Sequence, residues 1–202
     1  IVVFPGGVGT AEEILYLLGV LLHPDNAELP FPLVMTGPQS AEPYFRKIDE
    51  FVVATLGEEA RKRYEIIIDD PRAVARRVKA GLADVHRFRS ENGDAYYFNW
   101  RLKIARDFQR PFVATHETMR ELEIGDGLPR HELAANLRRV FSGIVSGNVR
   151  EDTAEMIEKK GPFEIRGSQR IMDLLDGLLT DFVAQRRMKI SAGDYDPCYV
   201  IK

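Results

Sequence analysis

The chain of 202 residues is 45% hydrophobic, carries a formal net charge of −3 and has a sequence pI near 5.9. That balance argues against a general nucleic-acid or membrane-surface binder, and the longest apolar run, broken at His23-Pro24-Asp25, falls short of the roughly 20 residues that span a bilayer. The single cysteine, Cys198, excludes an internal disulfide and suits a reducing compartment, so a cytoplasmic protein is expected.

Ile1-Val2-Val3-Phe4 reads as a buried strand that feeds the loop Pro5-Gly6-Gly7-Val8-Gly9-Thr10-Ala11-Glu12-Glu13. A helix is predicted from Gly9 or Thr10 to about residue 23, because Ile14, Leu15, Leu17, Leu18, Val20, Leu21 and Leu22 form a broad apolar face, and Pro24 stops it. Phe31-Pro32-Leu33-Val34-Met35 is the second strand, ending at Thr36-Gly37-Pro38. The next helix spans about 40 to 56, with Pro43 in its first turn, a packing stripe of Tyr44, Phe45, Ile48, Phe51 and Val52, and Gly57 as its stop. Tyr64-Glu65-Ile66-Ile67-Ile68 is the third strand, and Asp69-Asp70-Pro71 caps a helix to about residue 78. Alternation of this kind implies parallel strands joined by helical crossovers. A doubly wound sheet usually has about five or six strands, so the chain is expected to be the C-terminal part of a longer one.

The pattern then changes. Residues 90–94 are polar and read as a linker or long loop, and helices are predicted at 99–109, 130–142, 151–160 and 168–186. Cys198-Tyr199-Val200-Ile201 reads as an edge strand. The expected organisation is α/β: residues 1–85 as the second half of a Rossmann-like parallel-sheet domain, and 86–202 as an accessory, mostly helical C-terminal domain.

The glycine loop carries the chemistry. Glycines let backbone N–H groups approach an anion, and a helix N-terminus adds unsatisfied donors and a positive dipole end. The spacing matches neither GxGxxG nor GxxxxGK[ST], and no lysine follows, so a monophosphate fits better than a dinucleotide or triphosphate. A tight turn without a ligand also uses glycine, although three in four positions exceed its need. Thr10 suits a helix cap or a phosphate contact. Thr10-Ala11-Glu12-Glu13 fits a capping box, which accounts for Glu13 without any ligand. It equally places a carboxylate where the sugar of a bound nucleotide would lie, and the residues alone do not separate the two.

Other signals are weaker. The histidines at 23, 86, 116 and 131 lack i,i+4 pairing, and His116-Glu117 lacks the second histidine of HExxH, so no metal site is expected. Arg72, Arg76, Arg77 and Lys79 read as a solvated helix face, Ser142-Gly143 and Ser146-Gly147 as turns, and Cys198 as inert. Tyr96-Tyr97-Phe98 and Trp100 read as core or domain interface.

The stretch from Pro5 to Glu13 resembles PGGxGTxxE, the signature of the LONELY GUY family, whose members are often labelled lysine decarboxylases. The resemblance implies a nucleoside monophosphate phosphoribohydrolase, which releases a free base and ribose 5-phosphate without a cofactor. By the same resemblance Gly6, Gly7, Gly9 and Thr10 would hold the 5′-phosphate, Glu13 would be the catalytic carboxylate, and Glu12 a second candidate for ribose contact. The family's upstream M-x-x-R-K arginine motif is absent here, which leaves the catalytic set incomplete. Leu21-Leu22-His23-Pro24-Asp25-Asn26-Ala27-Glu28-Leu29-Pro30-Phe31-Pro32, Tyr97-Phe98-Asn99-Trp100-Arg101-Leu102, Phe141-Ser142-Gly143-Ile144-Val145 and Phe182-Val183-Ala184-Gln185 are similar to the bacterial pyrimidine/purine nucleotide 5′-monophosphate nucleosidase branch. That branch implies a homo-oligomer, expected as a tetramer built from dimers, and guanosine tetra- or pentaphosphate as effector. The competing reading is a non-catalytic nucleotide- or alarmone-binding module. A lysine decarboxylase needs a Schiff-base lysine, and none lies near the loop.

Overall fold

The computed structural model describes residues 1–94, 101–188, 195 and 197–202. Three short apolar segments pair in parallel in the order β1 (Val2–Val3), β2 (Val34–Gly37), β3 (Glu65–Ile68). Val2 lies opposite Val34, and Val34 opposite Glu65. Between the strands run α1 (Val8–Leu21), α2 (Glu42–Leu56) and the single turn α3 (Glu58–Arg61). The stripe of α2 is buried as expected, with Tyr44, Phe45 and Val52 inaccessible to solvent, and Gly57 ends the helix at a φ of 80°. That angle is one glycine adopts without a Cβ penalty.

The Asp70 carboxylate accepts the Ala73 N–H at 2.8 Å and starts α4 (Pro71–Glu91). The helix runs well past the expected end near residue 78. No proline interrupts it, and Gly81 is retained in its interior because Pro32 packs there, 2.5 Å from where a Cβ would stand. Residues 90–94 are therefore the end of a helix and its cap rather than a linker, with Gly93 at a φ of 66°. The division at 85/86 falls inside α4.

The helix expected at 99–109 does not form over its described part: residues 101–105 are irregular, and Arg106–Gln109 make one 3-10 turn. Asn26 supplies the reason. Its buried amide bonds both the N–H and the C=O of Lys103, each at 2.8 Å, and so takes up backbone groups that a helix would use. Beyond this lie α5 (His116–Arg120), β4 (Glu123–Ile124), α6 (Arg130–Val149), α7 (Glu151–Lys160), β5 (Phe163–Gly167), α8 (Gln169–Ala184) and β6 (Tyr199–Ile201). The last strand takes the edge position expected for it, in a second parallel sheet ordered β4-β5-β6 that the periodicity did not reveal. Ser142-Gly143 and Ser146-Gly147 are not turns but lie inside α6. The two glycines admit close neighbours: a Cβ at Gly143 would stand 2.5 Å from the Met119 sulfur, and one at Gly147 2.6 Å from the Cys198 sulfur.

One hydrophobic cluster runs through both halves of the chain, joining Leu15 and Leu18 of α1 to Leu133, Leu137 and Phe141 of α6. Tyr44 stacks on Phe182 at 5.2 Å between centroids, so α2 and α8 share the same core. Tyr96, Tyr97, Phe98 and Trp100, expected at a core or interface, lie outside the described residues. At the free edge of the first sheet, Ile1, Val2 and Phe4 are exposed, Phe4 by 65%.

Candidate active site

The glycine loop lies where β1 ends and α1 begins, at the carboxyl end of a parallel strand, where α/β sheets bind ligands. Two of its carbonyls are held from behind. Arg187 donates to the Gly6 oxygen at 3.1 Å, and the Tyr44 hydroxyl donates to the Gly7 oxygen at 3.2 Å. Burial pushes the Tyr44 phenol up to about 12, so it remains a donor across the physiological range. Because N–H and C=O point oppositely across a trans peptide, fixing these carbonyls turns the Gly7 and Val8 N–H groups away from Arg187 and Tyr44. Arg187 also lies over the Tyr44 ring, 4.5 Å from its centroid.

The glycines differ in what demands them. A Cβ at Gly6 would stand 2.0 Å from the Thr10 Oγ1, and one at Gly7 2.4 Å from the Arg187 carbonyl oxygen. At Gly9 a Cβ would meet nothing within 4 Å among the described residues. Internal packing accounts for the first two. Gly9 lies inside a helix, where glycine costs about 1 kcal/mol relative to alanine, and no neighbour among the described residues requires it.

The expected capping box is not formed. Helix α1 starts at Val8 with Gly7 as its N-cap and no side-chain cap, so Thr10 stands within the first turn and Glu13 beyond it. The entry angle of the chain is set by the clamped carbonyls rather than by a threonine cap, and the Thr10 hydroxyl instead lies over Gly6 and against Tyr44. Glu13 is exposed and, among the described residues, makes no ion pair. It stands between two cavities. One, of about 450 Å³, is lined by Val2, Phe4, Thr10, Tyr16 and Leu17; the other, of about 300 Å³, by Gly9, Glu12, Tyr16 and Arg138.

Glu12 is different. Its carboxylate faces Arg138 of α6 at 3.5 Å, and Arg138 lies 5.6 Å from the centroid of the Tyr16 ring. Burial pushes the Glu12 carboxyl above the usual range, while Arg138 and a hydrogen bond from Ser142 oppose the shift. The adjacent carboxylates thus stand in unlike surroundings, one facing Arg138 and half-buried, the other open to solvent and, among the described residues, unpaired.

A third cavity, of about 310 Å³, crosses the carboxyl ends of the strands between Phe4, Gly37 and Asp69-Asp70. Asp69 holds a φ of 57°, a left-handed conformation uncommon outside glycine. His23 and His131, far apart in sequence, meet at 5.0 Å between ring centroids, and among the described residues no group of three or more potential ligands could hold a metal ion. Arg72, Arg76 and Lys79 are exposed on α4, as a solvated face requires, and Arg77 pairs with Glu65 at 2.6 Å.

Two family models match. "Possible lysine decarboxylase" covers residues 1–78, and "Pyrimidine/purine nucleotide monophosphate nucleosidase, C-terminal" covers 82–202, more than half of the chain. The chain belongs to the pyrimidine/purine nucleotide monophosphate nucleosidase C-terminal family. It is 53% identical over 201 residues to the pyrimidine/purine nucleotide 5′-monophosphate nucleosidases of Escherichia coli K12 and of strain O157:H7. The match takes in 100% of this chain and 44% of each relative, so the chain spans less than half the length of these curated relatives.

Set against this nucleosidase family, the loop residues and Glu13 read from the motif gather at one place, with Glu12 beside them. Tyr44, Arg138 and Arg187 went unread. Tyr44 was visible only as a core aromatic, and each arginine is a lone cation among many, brought to the loop by contacts spanning more than a hundred residues of sequence.

Proposed function

We propose that the protein containing this chain hydrolyses the N-glycosidic bond of nucleoside 5′-monophosphates, giving free base and ribose 5-phosphate. The observation that carries the reading is Glu13, an unpaired carboxylate one turn beyond the glycine loop and bordering two cavities. In this reading the Gly7 and Val8 N–H groups and Thr10 receive the 5′-phosphate, with Gly6 and Gly9 giving the anion its close approach. The sugar then lies along α1 towards Glu13. As the bond to the base lengthens, positive charge grows at the anomeric carbon, and a fixed carboxylate stabilises it more than it stabilises the neutral ground state. Water adds to the anomeric carbon, and the base departs with a proton. The similarity to relatives named as nucleotide 5′-monophosphate nucleosidases supports the same reading. Among the described residues no lysine lines either cavity beside Glu13, which disfavours Schiff-base chemistry.

Residues 86–202 act here as an accessory unit, the active protein is a cytoplasmic homo-oligomer, and guanosine tetra- or pentaphosphate is its effector class. No helix among the described residues is long and apolar enough to cross a membrane. The test is to incubate the full-length protein with AMP, GMP, CMP and UMP and separate the products chromatographically. Release of free base, slowed roughly 100- to 1,000-fold in Glu13→Gln, is expected; tight nucleotide binding without base release would replace the enzyme with a sensor.

A further inference from the structure

We propose that Arg138 is a positioning residue of the nucleotide site: from the C-terminal unit it holds the Glu12 carboxylate ionised and turned into the cavity beside Glu13, where Glu12 accepts from a ribose hydroxyl. The inference rests on the nucleotide reading of that cavity. Three observations place Arg138 there. Its side chain is only 13% exposed, its guanidinium faces the Glu12 carboxylate at 3.5 Å, and both side chains line the same 300 Å³ space as Gly9 and Glu13. Tyr16 fixes the arrangement from a second side, since its ring lies against Arg138 at 5.6 Å and against Phe108 at 5.2 Å.

The chemistry follows from the surroundings of Glu12. The charged or polar groups facing it are Arg138 and Ser142 on α6, Arg150 just beyond that helix, and Glu13 on its own. Burial and Glu13 favour the protonated acid; Arg138, Ser142 and Arg150 favour the carboxylate. Arg138 is the largest of the opposing influences. An ionised carboxylate only accepts hydrogen bonds, as a pair of ribose hydroxyls demands, whereas the protonated acid gives up part of that capacity. Arg138 therefore sets the pH below which the sugar loses its acceptor.

The experiment measures AMP affinity calorimetrically from pH 5 to 8 with the full-length protein, alongside kcat and KM for base release. In Arg138→Met the pH at which affinity and kcat/KM fall should rise by about one unit, the lower end of what one close opposite charge contributes. The loss, about tenfold at the pH where wild type is still fully active, should appear in KM more than in kcat. Arg138→Lys keeps the charge and should restore most of the wild-type profile. Glu12→Gln removes this titrating group and should shrink the acid limb, whether or not Arg138 is present, to the part that the AMP phosphate itself contributes as it protonates at about pH 6. If Arg138→Met does not fold, Arg138→Lys and Glu12→Gln still decide: an acid limb of AMP affinity unchanged in Glu12→Gln overturns the proposal. So does an Arg138→Met profile that coincides with wild type. Absence of base release from wild type would instead sink the nucleosidase reading, with the binding profile still testing Arg138.

Discussion

Glu13→Gln separates a catalytic carboxylate from a structural one. Had Glu13 closed a capping box, glutamine would serve there too and the change would be nearly silent. With α1 starting at Val8 and no side-chain cap at its N-terminus, that structural role is gone. Glu13 is exposed and unpaired among the described residues, so its substitution should move stability by no more than about 0.5 kcal/mol, as for other surface positions. For a chain of 202 residues this is a shift in Tm of about 2 °C or less. Removing a preorganised charge aimed at a developing cation costs about 2.7–4 kcal/mol, or roughly 100- to 1,000-fold in rate. The assay is base release from AMP by the full-length variant, with thermal melting as the folding control. Near-normal turnover would remove Glu13 from the chemistry; a collapse in Tm would show that the carboxylate supports the fold after all.

The loop glycines should respond in opposite ways. Gly7→Ala forces a Cβ against the Arg187 backbone, 2.4 Å away, and should cost about 1–3 kcal/mol in thermal unfolding. Gly9→Ala meets no described atom within 4 Å and should raise helix stability by up to about 1 kcal/mol while weakening AMP binding; unchanged affinity would show that no ligand approaches there. Arg187→Met removes a charged donor from the Gly6 carbonyl and should destabilise by about 1.5–3 kcal/mol, with KM for AMP rising as the loop loosens. An unchanged KM would deny it a role in holding the loop. His131 is held below the usual imidazole range by burial and by His23. The unfolded chain then takes up the proton first, so its contribution to stability is complete above about pH 6.5 and is lost as pH falls from there through the folded value. Melting curves from pH 8 to 5 should show this decline, and His131→Asn should reduce it; an identical slope would count against it.

Local chemistry was readable where it acted locally. The α2 stripe, the Gly57 stop, the Asp70 cap and the limits of α7 all follow from residues within a turn or two of the feature. Misreadings arose where a distant partner overrides the local preference. Thr10 looked like a cap because Thr-x-x-Glu is a strong local signal, but Tyr44 and Arg187 clamp the preceding carbonyls and bring the helix in at Val8. Gly143 and Gly147 looked like turn residues because nothing nearby discloses the Met119 and Cys198 sulfurs that need the space. Asn26 likewise withdraws the backbone of Lys103 from helix formation across the fold. Strands β4 and β5 are short, and β4 has only two residues, too few for a period of two to register.

The two family models abut within α4, between residues 78 and 82, yet the forces that shape the site do not divide there. Helix α1, which carries Glu13 on its open side and turns Glu12 towards Arg138 of α6, buries Leu15 and Leu18 in the cluster that includes Leu133, Leu137 and Phe141 of α6. Burying each such side chain contributes about 1.5–3 kcal/mol, comparable in sum to the whole net stability of many domains. Tyr44, which holds the Gly7 carbonyl, is itself positioned by Phe182 of α8 and by Arg187 just after it. The orientation of the loop N–H groups is therefore a property of both halves of the chain. A segment that contributes neither glycine motif nor unpaired carboxylate can still determine where a phosphate is held and which of two adjacent carboxylates stays free, because those geometries are set from behind the loop.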